Sequence, residues 1–173
     1  MEDMQRPTNG RPKLVLLVDS DPSTRSILGS LLATSGLELV QARDSVTGLE
    51  IFQRLPDRFR LVIVSLEMPG LSGLVLIRTL RLFHPELPIV CLAGAEPSAA
   101  AREAGQCVAK PVRASALHAQ LTDALAGGRL MTDLATLPGD AIARARACYG
   151  SSGSLLEAAR EIARAMPGET TEW

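Results

Sequence analysis

Apolar residues occur along the chain in short continuous runs, separated by segments in which they are spaced three or four positions apart. The continuous runs are LVLLV (14–18), LELV (37–40), LVIV (61–64), PIVCL (88–92) and QCVA (106–109). Runs of this length predict β-strands. Strands that are apolar along their whole length are typical of a parallel sheet with helices on both faces. The pattern therefore predicts five strands of one such sheet.

The segments between these runs carry the signals of helices. Pro22 suits the first turn of a helix that Gly36 should end, and Asp44 can cap a second helix that reaches Arg54. Three further helical segments are predicted, at 72–82, as a weak short helix within 94–105, and at 113–126. Alternation of strands and helices predicts an α/β fold with a doubly wound parallel sheet.

The last part of the chain has helical signals and no strand signal. A helix is predicted at 140–149, and Ser154 with Glu157 forms a capping box for another. The apolar stripe of that last helix consists of Leu155, Ala159, Ile162 and Met166. A helical pair of this size cannot bury a core of its own, so it is expected to pack on the preceding domain or on another copy. The predicted organisation is a disordered segment 1–12, an α/β domain 13–126 and a helical extension 127–173.

Composition narrows the class of protein. The 173 residues are 46% hydrophobic and 21% charged, with a net charge of −1. This balance gives no general attraction to nucleic acid or to an anionic membrane, and no apolar run is long enough to span a bilayer. A cytoplasmic protein without a membrane partner is predicted. The three cysteines, Cys91, Cys107 and Cys148, lack metal-site spacing and are expected to be reduced and mostly buried.

Two positions draw attention among the cations. Sixteen of the eighteen are Arg, and Lys occurs only at positions 13 and 110. Arg78 and Arg81 are predicted to lie on the side of helix 72–82 opposite its apolar residues. Lys110 directly follows the fifth strand, and chemistry in doubly wound sheets occurs beyond the carboxyl ends of the strands. The residues that this rule selects are Asp19, Ser20, Asp21, Ser65, Ala93 and Lys110.

Three phrases resemble one family. VDSDP (18–22), VSLEMPGLSG (64–73) and AKP (109–111) are similar in order, spacing and strand placement to the receiver domain of bacterial two-component response regulators. The resemblance covers about residues 13–126. It implies a five-stranded flavodoxin-like sheet and a phosphoryl switch. In that switch an aspartate accepts phosphate from a histidine kinase, an acidic pair holds magnesium, a hydroxyl and an aromatic group respond, and a lysine pairs with the phosphoryl oxygens.

Most of that phosphoacceptor pocket is degenerate in this sequence. Ser65 occupies the acceptor position and Ser20 the second position of the acidic pair. Ala93 replaces the responding hydroxyl residue, and Cys107 replaces the aromatic residue. Asp19 and Lys110 remain, and Asp21 is also acidic. The resemblance therefore implies a receiver that has lost its acceptor.

These replacements have chemical consequences. A serine hydroxyl needs a base and gives a stable ester, whereas a carboxylate forms the high-energy mixed anhydride that suits reversible transfer. Magnesium prefers carboxylate and phosphate oxygens, so Asp19 and Asp21 alone predict weak Mg²⁺ binding at most and no other cofactor. Lys110 is expected to pair with Asp19 as a structural strut. Ser65 is interpreted as a small polar loop residue, and no catalytic residue is assigned.

The predicted function is signalling through protein contacts, with a histidine kinase or another signalling protein as partner. A homodimer stays open, although the interval between Ala93 and Lys110 is short for the family's usual dimer face. An alternative concerns the extension, because AGGRLM (126–131), GDAI (139–142) and LLEAAREI (155–162) are similar to the RNA-binding ANTAR domain. That resemblance implies transcription antitermination. No motif of a classical enzyme is present, and His84 and His118 lie on different predicted helices.

Overall fold

The computed structural model describes residues 13–94, 107–127 and 137–166. The predicted disordered segment 1–12 and the predicted weak helix, apart from Gly94, lie outside these ranges. Within the described residues, no helix combines the length and the apolar content that crossing a bilayer requires.

Five parallel strands form a single sheet. They are Leu14–Val18 (β1), Glu38–Ala42 (β2), Phe59–Ser65 (β3), Ile89–Ala93 (β4) and Cys107–Ala109 (β5). The spatial order is β2-β1-β3-β4-β5, so the chain turns to one side of β1 first and to the other side afterwards. This order confirms the predicted doubly wound α/β fold. The point at which the strand order reverses, the topological switch point, therefore lies between β1 and β3.

Helices connect the strands and form the extension. They are Pro22–Leu32 (α1), Ser45–Arg54 (α2), Gly73–Phe83 (α3), Ala114–Leu125 (α4), Gly139–Ser152 (α5) and Leu155–Arg164 (α6). Four of these helices have an N-cap residue whose side chain accepts a hydrogen bond from a backbone N–H of the first turn. The four N-cap residues are Asp21, Asp44, Ser72 and Ser154. The first helix ends at Leu32, before Gly36, whose φ of 70° lies in the left-handed region that glycine favours.

Residues of the central strands alternate between two apolar cores. Val15 and Leu17 of β1 pack with residues of α1 and α4 on one face of the sheet. Leu16 and Val18 pack with residues of α2 and α3 on the other face. Successive side chains of a strand point to opposite faces, which is why a continuous apolar run serves both cores.

The extension packs on the α2 and α3 side of the domain. Helices α5 and α6 lie against each other, and α6 contacts both α2 and α3. Its apolar residues, among them Leu155 and Ile162, join the core of that face. The backbone N–H of Leu155 donates a 2.8 Å hydrogen bond to Oε1 of Gln53 in α2. Of the two expected arrangements, the structure therefore shows packing on the preceding domain.

The burial of α3 corrects one prediction. Arg78 was expected on a polar side of this helix, but only 3% of its surface is exposed. Helix α3 lies between the sheet and α6, so the extension removes the solvent-facing side that the amphipathic pattern implied.

The cysteines correct another prediction. Cys91 and Cys107 form a disulfide, and Cys148 in α5 is a free thiol. The two joined residues are opposite each other in the pairing of β4 with β5, and their Cα atoms are 4.8 Å apart. They were expected to be reduced because three unevenly spaced cysteines do not indicate a disulfide framework.

His84 ends α3 in a partly apolar environment. The edge of its ring faces the ring of Phe52, with centroids 4.9 Å apart. Burial lowers the pKa of His84 below its ordinary value of 6.5, and the nearby charge of Asp57 opposes this shift. The folded chain therefore favours the neutral imidazole.

Acidification is expected to destabilise the chain through His84. A lowered pKa means that the unfolded chain binds more protons than the folded chain just below the ordinary value of about 6.5. This contribution to stability is complete above that value and is lost as the pH falls through the folded pKa. Urea unfolding at about pH 7.5 and about pH 5.5 should show a smaller loss in His84→Gln than in the wild type.

The exposed His118 supplies the matched control. His118→Gln should keep the pH dependence of the wild type. An unchanged pH dependence in His84→Gln would show that the lowered pKa of His84 does not contribute to the pH dependence of stability.

Candidate functional site

Three side chains meet where β1, β3 and β5 end. Nζ of Lys110 lies 2.7 Å from Oδ2 of Asp19 and donates a 2.9 Å hydrogen bond to Oγ of Ser65. The carboxyl ends of parallel strands share one edge of the sheet, so residues distant in sequence become neighbours there. The predicted ion pair between Lys110 and Asp19 is present, and Ser65 belongs to the same cluster.

Asp19 is a fully buried carboxylate. It has 0% exposure, whereas the side chain of Lys110 is 22% exposed. Oδ1 of Asp19 accepts a 2.8 Å hydrogen bond from the N–H of Asp21. Among the described residues Oδ2 has no aligned hydrogen bond, so its contact with Lys110 is an ion pair at 2.7 Å. A buried charge without a partner destabilises a fold, and the ion pair with Lys110 offsets the cost of burying the Asp19 carboxylate.

The backbone of Asp19 is fixed from both sides. Its N–H donates to the carbonyl of Ala42 in β2 at 3.1 Å. Its carbonyl accepts a 2.6 Å hydrogen bond from the guanidinium of Arg25 in α1. These backbone contacts, together with the N–H of Asp21, fix the position of the Asp19 carboxylate.

Asp21 serves the first helix instead of the cluster. Its carboxylate accepts hydrogen bonds from the N–H groups of Ser23 and Thr24 and from the hydroxyl of Thr24, at 3.0, 3.2 and 2.7 Å. The Thr24 hydroxyl, followed by the Ser23 N–H, lowers the pKa of Asp21. Ser20, between the two aspartates, is exposed. Thus one acidic side chain, Asp19, lies in the cluster.

The described ranges contain no group of three His, Cys, Asp or Glu side chains that could hold a metal ion. Mg²⁺ at this edge would have to compete with Lys110 for Asp19 and with the α1 N-terminus for Asp21. The residues present therefore fit magnesium poorly. The expected weak affinity stays a prediction.

Ala93 and Cys107 contribute differently from the responding groups that the resemblance implies. Ala93 ends β4, and its carbonyl accepts a 2.8 Å hydrogen bond from the N–H of Lys110. It presents no side-chain hydroxyl to the cluster. Cys107 begins β5 and is bound to Cys91. Of the seven predicted pocket residues, the structure brings Asp19, Ser65 and Lys110 into side-chain contact.

Two features of this edge were missed in the sequence. Oε2 of Glu67 accepts a 2.9 Å hydrogen bond from the N–H of Gly94, which joins the loop after β3 to the end of β4. Gly73, the first residue of α3, lies so close to Ser65 that a Cβ atom would be 2.0 Å from the Ser65 carbonyl oxygen. The phrase SLEMPGLSG contains both residues, but it does not indicate their partners.

A groove of about 390 Å³ adjoins the cluster, between α1 and the residues after β5. Its lining residues are Asp21, Ser23, Thr24, Ile27, Lys110, Pro111 and Val112. Ile27 is 45% exposed, which is high for a large apolar side chain. The groove combines this apolar wall with the charged side chains of Asp21 and Lys110.

Comparison with known proteins agrees with this geometry. A family model described as the response regulator receiver domain matches residues 15–122. The transcriptional regulatory protein GlrR of Escherichia coli (strain K12) is 33% identical over 128 residues, which cover 71% of this chain and 28% of that protein. A protein-glutamate methylesterase/protein-glutamine glutaminase of Anaeromyxobacter dehalogenans (strain 2CP-C) is 36% identical over 113 residues, or 60% of this chain and 30% of that protein.

Solved structures show the same fold. A response regulator receiver domain protein from Clostridium thermocellum matches with a TM-score of 0.58 and 26% identity, covering 66% of this chain and 94% of that one. The receiver domain of NtrX from Brucella abortus matches with a TM-score of 0.57 and 28% identity, covering 65% and 98%.

The chain therefore belongs to the response regulator receiver family of two-component signalling, since the family match spans more than half of its residues. It spans less than a third of the length of the curated relatives described above. The resemblance of about residues 13–126 to a receiver domain is confirmed, and the resemblance of the extension to an ANTAR domain stays a prediction.

Removing Lys110 is expected to destabilise the fold. Lys110→Met leaves Asp19 buried without a countercharge and should lower the free energy of unfolding by about 3 kcal/mol. The double variant Asp19→Asn/Lys110→Met should recover part of this loss, because no buried charge is left. Urea unfolding of Asp19→Asn, of Lys110→Met and of the double variant measures the coupling free energy between the two side chains.

Lys13→Met is the matched control, since Lys13 is the other lysine of the chain. Its unfolding free energy should change little. Equal effects of Lys13→Met and Lys110→Met would contradict the structural role of the ion pair.

Proposed function

We propose that this receiver is not phosphorylated and that it signals in the cytoplasm by binding a protein partner, without catalysing a reaction. The observation that carries the proposal is the cluster in which Lys110 is paired with Asp19 and donates to Ser65. Lys110, the residue that the family resemblance pairs with a phosphoryl group, already contacts Asp19 and Ser65.

The state of Lys110 argues against Ser65 as a nucleophile. A serine hydroxyl reacts when a neighbouring base removes its proton. Lys110 is ion-paired with a buried carboxylate, and an ammonium group donates hydrogen bonds but accepts none. Ser65 is also fully buried. The arrangement supports a structural role for this hydroxyl.

Acetyl phosphate with Mg²⁺ is expected to leave the mass of the wild-type chain unchanged. The positive comparison is the variant Ser20→Asp/Ser65→Asp, which restores the carboxylates that the family uses and should gain one phosphoryl group. Intact-protein mass spectrometry of both chains under the same conditions reads out the result. A phosphoryl group on the wild type that disappears in Ser65→Ala would overturn the proposal.

The groove beside α1 is the surface that we propose for the partner. It offers the exposed Ile27 and the apolar Val112 next to the charged Lys110, and burying such a mixed surface can supply both affinity and specificity. On the opposite face of the sheet, α6 already covers parts of α2 and α3. A histidine kinase or a related signalling protein is the class of partner proposed, in line with the family.

A negative charge in place of Ile27, on the apolar wall of the groove, should abolish capture of the partner. Ile27→Glu replaces an exposed side chain of α1, so the fold should tolerate it while an apolar contact is lost. Leu55→Glu is the matched control, because Leu55 is 46% exposed and does not line the groove. Pulldowns from host lysate, with mass spectrometry, should find a two-component signalling protein with the wild type and with Leu55→Glu. Equal recovery with Ile27→Glu would exclude the groove.

RNA binding by the extension is the alternative that its sequence raised. Packing of α6 on α2 and α3 supports an intramolecular role, because the apolar stripe of α6 is already buried. Tyr149 packs against Phe83 with ring centroids 4.5 Å apart, so its ring is engaged within the chain. We therefore propose no RNA partner. A salt-sensitive shift of stem-loop RNA by the whole chain would contradict this choice.

A further inference from the structure

We propose that Cys91 and Cys107 form a reversible thiol–disulfide site whose oxidation state is the covalent input of this receiver. The proposal rests on the proposed function, namely on a cytoplasmic receiver that binds its partner through the groove and whose input is not phosphorylation. The chemistry of the site itself is independent of that assumption. It depends on strand pairing, on the exposure of the two sulfur atoms and on the groups attached to β5.

Strand pairing keeps the two cysteines together in either state. Cys91 and Cys107 are direct partners in the register of β4 and β5, with Cα atoms 4.8 Å apart. Disulfides require Cα separations of about 4.4 to 6.8 Å. The backbone ladder provides this distance, so the thiols remain adjacent after reduction and the bond can form again without rearrangement of the sheet.

The two cysteine residues differ in exposure. Cys91 is fully buried, whereas Cys107 is partly exposed at the edge strand of the sheet. Thiol–disulfide exchange requires access to the attacked or attacking sulfur. Cys107 is therefore the entry point, and Cys91 is the resolving thiol.

Oxidation by a small disulfide such as oxidised glutathione balances in two steps. The thiolate of Cys107 attacks one sulfur of that disulfide, forms a mixed disulfide and releases one glutathione thiolate. Cys91 then loses its proton to water and attacks the sulfur of Cys107, which releases the second glutathione. Two protein thiols are oxidised and one small disulfide is reduced to two thiols. An excess of small thiol reverses both steps.

The bond secures the strand that carries Lys110. Strand β5 has three residues and pairs on one side with β4. The disulfide ties its first residue to β4, and the Lys110 backbone bonds to Ala93 just after its last residue. Lys110, Pro111 and Val112 then line the groove. Breaking the disulfide therefore loosens the attachment of one wall of the proposed partner surface.

A permanent structural disulfide is the competing explanation. In reducing compartments, disulfides of mesophilic proteins are usually transient and either catalytic or redox-sensing. The proposed cytoplasmic setting therefore favours reversibility. The free thiol of Cys148 gives an internal reference, because it has no disulfide partner in either state.

The test is a redox titration of the full chain in glutathione buffers that run from oxidising to reducing. After an acid quench and unfolding in urea, maleimide labelling with mass spectrometry should show one labelled cysteine, Cys148, for samples from oxidising buffer and three for samples from reducing buffer. Unfolding is needed because Cys91 is fully buried. Circular dichroism before the quench should show a folded chain throughout. The bond closes a loop of about 15 residues, so reduction should lower Tm by about 6 to 12 °C. Cys148→Ser should titrate in the same way, with one label fewer.

Three results would overturn the inference. The first is a Cys91–Cys107 bond that resists excess dithiothreitol in the folded chain, which would mark a permanent disulfide. The second is a pair of thiols that stays free in excess oxidised glutathione. The third is reversible titration with equal capture of the signalling partner by the oxidised and the reduced chain, which would remove the signalling role and leave the proposed function intact. Phosphoryl uptake by the wild type would instead overturn the proposed function without changing the titration.

Discussion

A buried carboxylate at the end of β1 is the constraint on which the edge of this sheet depends. Asp19 has no exposure, and the ion pair with Lys110 compensates its charge. Lys110 follows β5, which is separated from β1 by β3 and β4, so its side chain reaches across the ends of two strands. A long flexible stem with a compact charge suits this span. One contact thereby links the first and the last strand of the chain and places a cation beside Ser65.

The same ion pair supports the proposal that this receiver is not phosphorylated. Lys110, to which the family resemblance assigns the contact with a phosphoryl group, contacts a carboxylate and a hydroxyl. Asp21 caps α1 and Ser20 is exposed, so the described residues of this edge form no dense acidic cluster. The proposed control by the Cys91–Cys107 disulfide is compatible with this arrangement. The disulfide lies at the start of β5 and Lys110 follows its end, so the bond can form or break without removing a group from the cluster.

The extension covers part of one helical side of the domain, formed by α2 and α3. Helix α6 packs on α2 and α3 and contributes Leu155 and Ile162 to their core. The groove lies on the other side, along α1 and next to Lys110. The proposed partner surface therefore consists of α1 and the residues after β5, while the extension packs on the opposite face. Cluster and groove share Lys110, so a change at β5 can alter both.

The sequence by itself determined the strands, most helix ends and the ion pair. Strand runs and caps such as Asp44 and Ser154 act within a few residues, and parallel topology alone brings Asp19 and Lys110 to one edge. Only the tertiary structure decided the burial of Arg78, the Cys91–Cys107 bond and the contact of Glu67 with Gly94. The last two join residues 16 and 27 positions apart. Such contacts depend on strand register, loop path and docking of α6, which no local pattern specifies.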